Sequence, residues 1–251
     1  MPYFYLYDSY LQDRAYAPQL IKLEGTLTDL GLQGKVGRLT LLKSVKDLVE
    51  SAMREGSTTV VAVGNDTTVS RLAEVLAGKR NVTMGFIPLG TERQNLATIL
   101  GIPVGILACH VLSSRVIQEL NLGKVNGSYF IQSVTLQGKP TLECESHYRL
   151  TVASPHNIKI CNLDKFNGHG VSNPQNNLLE AVLKPLAAKH WWGWGQKLGD
   201  MSIVPAKTIR LSSAGEELAI MVDGYRTVKT PVSVSVATER LRFIVGKKRL
   251  F

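Results

Sequence analysis

The sequence lacks the cysteine pattern of a disulfide framework or of a zinc site. It contains 3 cysteines, Cys109, Cys144 and Cys161, and no two of them have Cys-x-x-Cys spacing. An odd number of widely spaced thiols is typical of a reduced protein and excludes the disulfide-stapled class of secreted domains. We therefore expect free thiols in a cytoplasmic protein.

Long hydrophobic runs and a leader segment are also missing. No stretch of about 18 consecutive apolar residues occurs, so the sequence predicts no transmembrane helix. Met1–Asp8 has neither a basic n-region nor a small-residue cleavage site, and we expect no signal peptide. Internal repeats and low-complexity segments are absent as well. The 251 residues, 44% of them apolar, predict one large domain or two ordinary ones.

Acidic residues are scarce relative to basic ones. The chain has 20 Asp and Glu against 29 Lys and Arg, which gives a net charge of +9. Such an excess favours anionic partners, namely nucleotides, nucleic acids or an acidic membrane face, although a solvated basic surface has the same composition. Because no aromatic–basic strand motif of an RNA-binding domain is visible, we do not expect nucleic-acid binding.

The first half of the chain alternates strand and helix patterns. Apolar runs predict strands over residues 3–7, 36–42, 59–63 and 82–87. Amphipathic patterns between them predict helices, one opening at Pro18 and one capped by Ser44. A further helix is predicted over residues 104–119. This alternation predicts an α/β domain with a parallel, Rossmann-like sheet.

The second half reads as short strands with period-two alternation. They are predicted over residues 129–136, 141–145, 147–153, 158–163, 208–212, 217–222, 232–236 and 241–245. This spacing favours an antiparallel β-sandwich. We place the boundary in the Asn- and Gly-rich residues 121–127, which gives an α/β domain over residues 1–124 and a β-sandwich domain over residues 125–251. The pattern leaves open whether the C-terminal residues complete the first domain.

Two polar turns follow predicted strands of the parallel sheet. The first polar turn, Gly64-Asn65-Asp66-Thr67-Thr68, comes directly before a helical pattern, and the second polar turn occupies residues 88–95. Both fall at the carboxyl ends of strands, where parallel sheets bind ligands and where helix N-termini attract phosphate. On residue chemistry alone, Asp66 is better explained as a helix N-cap. Asp223-Gly224 is likewise better explained as a hairpin turn.

Three motifs resemble those of the diacylglycerol kinase catalytic-domain family, which includes bacterial lipid kinases and sphingosine kinases and is related to NAD kinases. Gly64–Val69 resembles the GGDGT-V signature. Ile87–Thr91 followed by Leu100–Pro103 resembles the second family motif, and Asp223-Gly224 lies where the family carries a DGE tripeptide. The resemblance spans nearly the whole chain. It implies a nucleotide-binding α/β domain, a β-sandwich domain and an active site between them.

The resemblance further implies an ATP- and Mg²⁺-dependent kinase that phosphorylates the hydroxyl of a diacylglycerol-like lipid. Asp223 would be the catalytic base, and Asp66 would hold Mg²⁺ and contribute to catalysis. The residues implied in nucleotide binding are Gly64, Asn65, Asp66, Thr67, Thr68, Gly90, Thr91, Gln94 and Asn95.

Several positions depart from the family pattern. Asn65 and Thr67 replace two glycines of the signature, Arg71 replaces an acid, and Tyr225 replaces the acid of the DGE tripeptide. The second motif is one residue longer, and no Asn-Pro-x-x-Gly loop follows the first predicted strand. These departures favour an alternative, a non-catalytic member that binds a nucleotide or an acidic lipid. A NAD kinase-like enzyme is a further alternative.

All three tryptophans occur close together, at Trp191, Trp192 and Trp194, among lysines. This composition is typical of a segment that docks on an anionic membrane surface. The alternative is a core cluster at the domain junction. The first interpretation predicts a cytoplasmic protein that is peripheral on the inner face of the membrane. A homodimer is left open.

Overall fold

A parallel sheet organises the first of two units in the computed structural model, which describes residues 3–40, 42–90, 92–145, 148–166, 170–186 and 201–251. This unit comprises Met1–Leu122 and Thr238–Phe251. Its first four strands are β1 (Tyr3–Tyr7), β2 (Gly34–Arg38), β3 (Thr59–Gly64) and β4 (Thr83–Pro88). They lie in the order β2-β1-β3-β4, and every pairing is parallel. All residues of β1, β3 and β4 are buried, as expected for the middle of a sheet covered on both faces.

Helices pack against this sheet. They are α1 (Ala17–Asp29), α2 (Val45–Arg54), α3 (Asp66–Leu76), α4 (Asn95–Ile99) and α5 (Ala108–Ser114). Ser44 caps α2 as predicted, because its hydroxyl accepts the N–H of Asp47. Leu72 and Leu76 of α3 are at most 1% exposed, and burying each contributes about 1.5–3 kcal/mol.

The predicted helix over residues 104–119 is wrong in its second half. After a short 3-10 turn, α5 ends at Ser114, and β5 (Ile117–Val125) follows. Arg115 adopts a left-handed backbone with φ of 49°, which ends the helix. Its guanidinium donates to the Tyr3 hydroxyl at 3.1 Å and to Thr59 Oγ1 at 3.2 Å. These distant contacts, which no local pattern reveals, stabilise the helix end.

The second unit, Gly123–Ala237, is a sandwich of antiparallel strands. After β6 (Ser128–Phe130), its strands are β7 (Ser133–Gly138), β8 (Thr141–Cys144), β9 (Tyr148–Thr151), β10 (His156–Cys161), β11 (Leu179–Pro185), β12 (Ser202–Ala206), β13 (Thr208–Ser212), β14 (Ala219–Val222), β15 (Arg226–Lys229) and β16 (Val232–Ile244). One sheet has the order β12-β11-β10-β7-β14-β15. The first residues of β16 pair with β13, which pairs with β8 and then β9.

Side chains from both sheets share one core in the second unit. Ile158 and Ile220 come from the six-stranded sheet, and Leu142, Ile209 and Val234 come from the other. All five side chains are fully buried. The predicted fold class, a parallel α/β domain with an antiparallel β-sandwich, is therefore confirmed.

Several strand predictions need correction. Strand β2 lies two to four residues earlier than predicted, and β11, β12 and β15 were not predicted. The two strands predicted over residues 232–236 and 241–245 are a single strand, β16. Its end joins the parallel sheet, where Arg242 and Phe243 lie opposite Thr83 and Met84 of β4. In the part of the chain that the structure describes, no helix is long and apolar enough to cross a membrane.

Candidate functional site

The first polar turn forms a capping box at the start of α3. Asn65 is the N-cap in an extended conformation, with φ of −121°. Its Oδ1 accepts the N–H groups of Thr67 at 3.0 Å and Thr68 at 3.3 Å. In return, the Thr68 hydroxyl accepts the Asn65 N–H at 3.1 Å. Asn65 and Thr67 therefore replace the family glycines without a left-handed backbone, and together they stabilise the helix start.

This turn commits its backbone donors within the protein. The N–H groups of Asn65, Thr67 and Thr68 are used by the capping box, and the N–H of Asp66 donates to the Arg93 carbonyl at 2.8 Å. A phosphate cradle needs such amides directed at the ligand. The sequence predicted that these amides bind phosphate, but their internal hydrogen bonds instead favour side chains as the anion donors at this edge.

Gly64 is the one signature glycine that this chain retains, and close packing explains it. A Cβ at this position would lie 2.3 Å from Thr68 Oγ1. The Thr68 hydroxyl, in turn, donates to Asp8 Oδ2 at 2.6 Å, and both side chains are buried. Asp8 follows β1 directly, so this contact joins the carboxyl ends of β1 and β3 to α3. Sequence reasoning missed Asp8, because nothing local marks its partner 60 residues away.

Asp66 joins the two polar turns. Its carboxylate is 3% exposed and accepts the N–H groups of Asn95 at 2.8 Å and Leu96 at 3.2 Å. The interpretation of Asp66 as the N-cap of its own helix is therefore wrong, since Asn65 fills that role. Asp66 instead caps the start of α4, where a negative charge also interacts favourably with the helix dipole.

The contacts of Asp66 give it a positioning role. Each of its two oxygens accepts one backbone amide. Over the described residues, no group of three His, Cys, Asp or Glu side chains could hold a metal ion. Because Mg²⁺ at phosphoryl-transfer sites takes one or two carboxylates together with water and substrate phosphates, the Mg²⁺ site at Asp66 stays a prediction.

The second polar turn is held by side-chain contacts. Gln94 donates through Nε2 to the Gly90 carbonyl, and the Tyr10 hydroxyl donates to the Leu89 carbonyl at 2.6 Å. Arg93 has a left-handed backbone with φ of 54°, and its guanidinium donates to Thr67 Oγ1 at 3.1 Å. The first and second polar turns are therefore adjacent, as their positions at strand ends predicted. Thr91, like Trp191, Trp192 and Trp194, lies outside the described residues.

Two cavities open at this edge of the parallel sheet. The smaller, of about 340 Å³, lies among Tyr10, Tyr16, Asn65, Gly90 and Glu92. The larger, of about 920 Å³, is called the cationic cavity below. It is lined by Ser9, Gln12, Leu39, Thr40, Leu42, Lys43, Ser44, Val45 and Arg71. Apart from Arg71 in α3, the lining residues of both cavities come from segments that follow a parallel strand, the usual position of ligands in such sheets.

Lys43 and Arg71 give the cationic cavity its charge. They occur with the polar side chains of Ser9, Gln12, Thr40 and Ser44 and with the apolar side chains of Leu39, Leu42 and Val45. The volume falls in the range of about 300–1,000 Å³ that small-ligand sites occupy. Sequence reasoning noted Arg71 only as a departure and Ser44 only as a cap. The spacing of these residues along the chain gave no sign that they line one cavity.

Burial favours the neutral forms of Tyr10 and of the three cysteine thiols. Desolvation, followed by the charge of Asp8, raises the pKa of Tyr10 well above its ordinary value, so this hydroxyl acts as a donor. Cys109, Cys144 and Cys161 are free and buried, as expected from the sequence, and burial raises the pKa of each thiol. Because the thiolate is the reactive form, these cysteines do not supply a nucleophile.

Asp223 is the second predicted catalytic residue, and it lies in a tight hairpin. Asp223 and Gly224 both have positive φ, 49° and 69°, and the Tyr225 N–H donates to the Val222 carbonyl at 3.2 Å. This is the Asp-Gly hairpin that residue chemistry favours. The Asp223 carboxylate is 6% exposed. It therefore points into the protein rather than into solvent.

The Asp223 carboxylate organises the segment before β7. It accepts the N–H groups of Ile131 at 3.0 Å, Gln132 at 2.8 Å and Ser133 at 3.1 Å. The Ser133 hydroxyl then donates to Asp164 at 2.7 Å, and Asp164 pairs with Lys159 at 2.7 Å. Ser133 thus donates to two buried carboxylates, through its N–H to Asp223 and through its hydroxyl to Asp164. Sequence reasoning missed Asp164 and Lys159, because only the register of β7 and β10 brings them to Ser133.

Residues 14–125 match the sequence model of the diacylglycerol kinase catalytic domain. Over 89 residues the chain is 36% identical to a probable YegS-like lipid kinase of Pseudomonas aeruginosa. The aligned residues make up 35% of this chain and 29% of that protein. Over 85 residues it is 36% identical to a diacylglycerol kinase of Bacillus subtilis. Here the aligned residues make up 33% of this chain and 27% of that protein. The matched segment thus spans less than a third of either relative.

Solved structures extend the likeness to the whole fold. A diacylglycerol kinase from Bacillus anthracis superposes with a TM-score of 0.78 at 13% identity, over 99% of this chain and 98% of that one. An NAD kinase from Archaeoglobus fulgidus in complex with ATP gives 0.63 at 15% identity, over 100% of this chain and 96% of that one. Residues 14–125 are therefore similar in sequence to the diacylglycerol kinase catalytic domain, and the whole chain has the fold of the solved diacylglycerol kinase and NAD kinase structures.

Proposed function

We propose that this protein transfers a phosphoryl group from ATP to the hydroxyl of a diacylglycerol-like lipid. The cationic cavity is the observation that carries the proposal. It lies at the carboxyl edge of the parallel sheet, inside the unit that contains all but the last three of the matched residues 14–125. A cavity that combines cations, hydroxyls and apolar side chains suits a nucleotide, which carries both phosphates and a flat base.

Within this proposal, each side chain has a defined task. Lys43 and Arg71 would neutralise phosphate charge, while the hydroxyl of Thr40 would donate a hydrogen bond. When bound, ATP would supply the γ-phosphoryl group for transfer. Gly90, Gln94 and Asn95 of the second polar turn would flank the nucleotide, with Gln94 keeping the Gly90 carbonyl in place.

Two aspartates take different parts in this proposal. Asp66 is a positioning residue that fixes the second polar turn, and it stays the predicted ligand of Mg²⁺. Asp223 remains our candidate for the base that accepts the proton of the lipid hydroxyl, and its three amide donors hold its orientation.

A lipid substrate also implies contact with a membrane surface. The net charge of +9 favours an anionic, inner-face membrane. We propose that Trp191, Trp192 and Trp194 contribute to this contact. Liposome sedimentation of the protein and of a Trp191→Ala/Trp192→Ala variant tests the idea, and equal sedimentation of both folded proteins would remove it.

A kinase assay tests the proposed function directly. The protein is incubated with ATP carrying a radioactive γ-phosphate, Mg²⁺ and diacylglycerol in mixed micelles, and labelled lipid is separated by chromatography. The Lys43→Gln/Arg71→Gln variant should lose most of the product. The matched control Lys46→Gln/Arg54→Gln removes two exposed cations that do not line the cationic cavity and should retain it.

A non-catalytic binding protein is the second candidate. The contacts of Asp66 and Asp223 favour it, because both carboxylates already serve backbone amides. ATP binding by the wild-type protein without any labelled lipid would favour this second candidate over the kinase. Labelled NAD in place of lipid would instead identify a NAD kinase-like enzyme.

A further inference from the structure

One surface of the first unit combines exposed apolar side chains with a run of cations. Val104 precedes a short 3-10 turn and Leu107 ends it, and their side chains are 53% and 61% exposed. Leu250 is 50% exposed and directly follows three consecutive basic residues. We call this set the apolar–basic surface, and its members are Val104, Leu107, Lys247, Lys248, Arg249 and Leu250.

Backbone contacts hold the two segments of the apolar–basic surface side by side. The Leu250 N–H donates to the Ile99 carbonyl at 2.9 Å. A Cβ at Gly101 would lie 2.5 Å from the backbone nitrogen of Arg249, so the two segments approach closely there. At most about 11 Å of extended chain separates Val104 from Gly101. The apolar side chains and the cations therefore lie in one small region of the molecular surface.

The segments that form this surface contain no acidic side chain. Neither residues 95–118 nor residues 241–251 include an Asp or a Glu. Within the part of the chain that the structure describes, no carboxylate forms an ion pair with Lys247, Lys248 or Arg249. Helix α1, which packs against the 3-10 turn, carries one Lys and two carboxylates, so these segments together with α1 remain net positive.

An anionic bilayer suits this combination better than a second copy of the chain. A two-fold contact would bring two basic segments together, which like-charge repulsion opposes. A bilayer with anionic lipids attracts the cations and takes up the apolar side chains below its headgroups. Strand β16 runs parallel to β4, so the basic segment leaves the sheet toward the carboxyl edge, where both cavities open.

We propose that the apolar–basic surface docks the first unit on an anionic lipid bilayer. Its cations lie at the phosphate headgroups, and Val104, Leu107 and Leu250 reach the boundary of the acyl chains. This inference rests on the proposed function, because the lipid substrate requires contact with a membrane, and it adds a second contact to that of the tryptophans. Lys247 and Lys248 line neither cavity, so their removal leaves the proposed nucleotide site intact.

Vesicle sedimentation of the full chain tests the inference, with phosphatidylcholine alone and with a mixture that contains phosphatidylglycerol. The wild type should bind the mixed vesicles and dissociate as salt rises, because salt screens the headgroup charge. Each Lys near such a surface contributes roughly a fivefold gain in partitioning, so Lys247→Gln/Lys248→Gln should bind about tenfold or more weakly. Val104→Ser/Leu107→Ser should also bind about tenfold more weakly, since it removes apolar area from the contact.

Matched controls separate this surface from charge and hydrophobicity in general. Lys46→Gln/Arg54→Gln removes two exposed cations of α2. Val36→Ser/Met221→Ser removes two exposed apolar side chains elsewhere. Both controls should bind the mixed vesicles like the wild type, and circular dichroism checks that every variant is folded. Equal loss in a control and in its test variant would overturn the inference, as would full binding by either test variant.

The kinase assay in mixed micelles distinguishes failure of this inference from failure of the proposed function. Full vesicle binding by Lys247→Gln/Lys248→Gln, with loss in Trp191→Ala/Trp192→Ala, would assign the contact to the tryptophans and overturn the apolar–basic surface. A wild type that labels lipid in micelles but does not bind mixed vesicles would overturn the inference and leave the kinase standing. Vesicle binding with the expected losses, but without labelled lipid, would support the surface and overturn the kinase.

Discussion

Asp223 has a left-handed backbone and a buried carboxylate that accepts three backbone amides. Few residues tolerate positive φ, and Asp is among them because its short polar side chain bonds locally. Asp223 therefore both forms the hairpin turn with its backbone and accepts the N–H groups of residues 131–133 with its side chain. This dual use explains why an Asp occurs there whether or not it takes a proton from a substrate.

We predict that Asp223→Ala destabilises the protein by about 3 kcal/mol, because it leaves three buried amide donors without their acceptor. Urea unfolding followed by circular dichroism measures the change. Glu216→Ala is the matched control, since it removes an exposed carboxylate of the same unit and should change the free energy of unfolding little. Equal stability of Asp223→Ala and wild type would contradict a structural role.

Thr68 is a second residue whose polar atom is fully used inside the protein. Its hydroxyl donates to Asp8 at 2.6 Å and accepts the Asn65 N–H at 3.1 Å. Thr68→Val keeps the shape but leaves a buried carboxylate oxygen and an amide unpaired, which should cost about 1–3 kcal/mol. Thr28→Val, at an exposed helical site, is the control. Thermal unfolding compares the two, and similar midpoints would show that the Asp8 contact contributes nothing.

At the scale of elements, α3 and α4 depend on neighbouring caps. Asn65 caps α3 with its own side chain, whereas Asp66 reaches across 29 residues to cap α4. The first polar turn therefore stabilises two helices with consecutive residues. The stability of α4, a helix of 5 residues, depends on this distant cap, since so short a helix has little stability of its own.

Hydrogen exchange should separate the two caps. In Asp66→Ala, we expect faster exchange in residues 93–99, because the N–H groups of Asn95 and Leu96 lose their acceptor. In Asn65→Ala, we expect faster exchange at the start of α3, with a cost of about 1 kcal/mol for the lost N-cap. Mass spectrometry of peptic peptides resolves these regions. Faster exchange at α3 in both variants would refute the assignment of separate caps.

At the scale of the whole molecule, buried phenols and thiols make stability depend on alkaline pH. Burial raises the pKa of Cys109 from its ordinary 9.0 to about 11, and burial also raises the pKa of Tyr5, Tyr7 and Tyr10. These groups ionise more readily in the unfolded chain. Their protonated forms therefore support the fold fully below about pH 9, and this support is lost as pH rises through the higher folded values.

The thermal midpoint should consequently stay level up to about pH 9 and fall steadily above it. Differential scanning calorimetry between neutral pH and pH 11 measures the trend. Cys109→Ser should reduce the slope slightly, because it removes one of the groups, although the lost burial of sulfur also lowers stability throughout. A midpoint that does not change up to pH 11 would show that these side chains ionise alike in both states.

Local patterns predicted the helices of the first unit well, and they failed where distant contacts decide. Ser44 caps α2 and Gly31 follows α1, as their chemistry indicates. The end of α5 was mispredicted because Arg115 contacts Tyr3 and Thr59, which are far away in sequence. The single strand β16 was divided in two because its exposed middle residues resemble a turn.

The sequence by itself determined the parallel sheet, the sandwich that follows and the location of two polar turns at strand ends, because periodicity and turn chemistry are local properties. Only the tertiary structure decided where the two predicted catalytic carboxylates point. The partners of Asp66 lie about 30 residues away and those of Asp223 about 90, and such contacts follow from packing alone. The grouping of Lys43 with Arg71 has the same origin, since the segments that follow β1 and β2 must pack beside α3 before these side chains line one cavity.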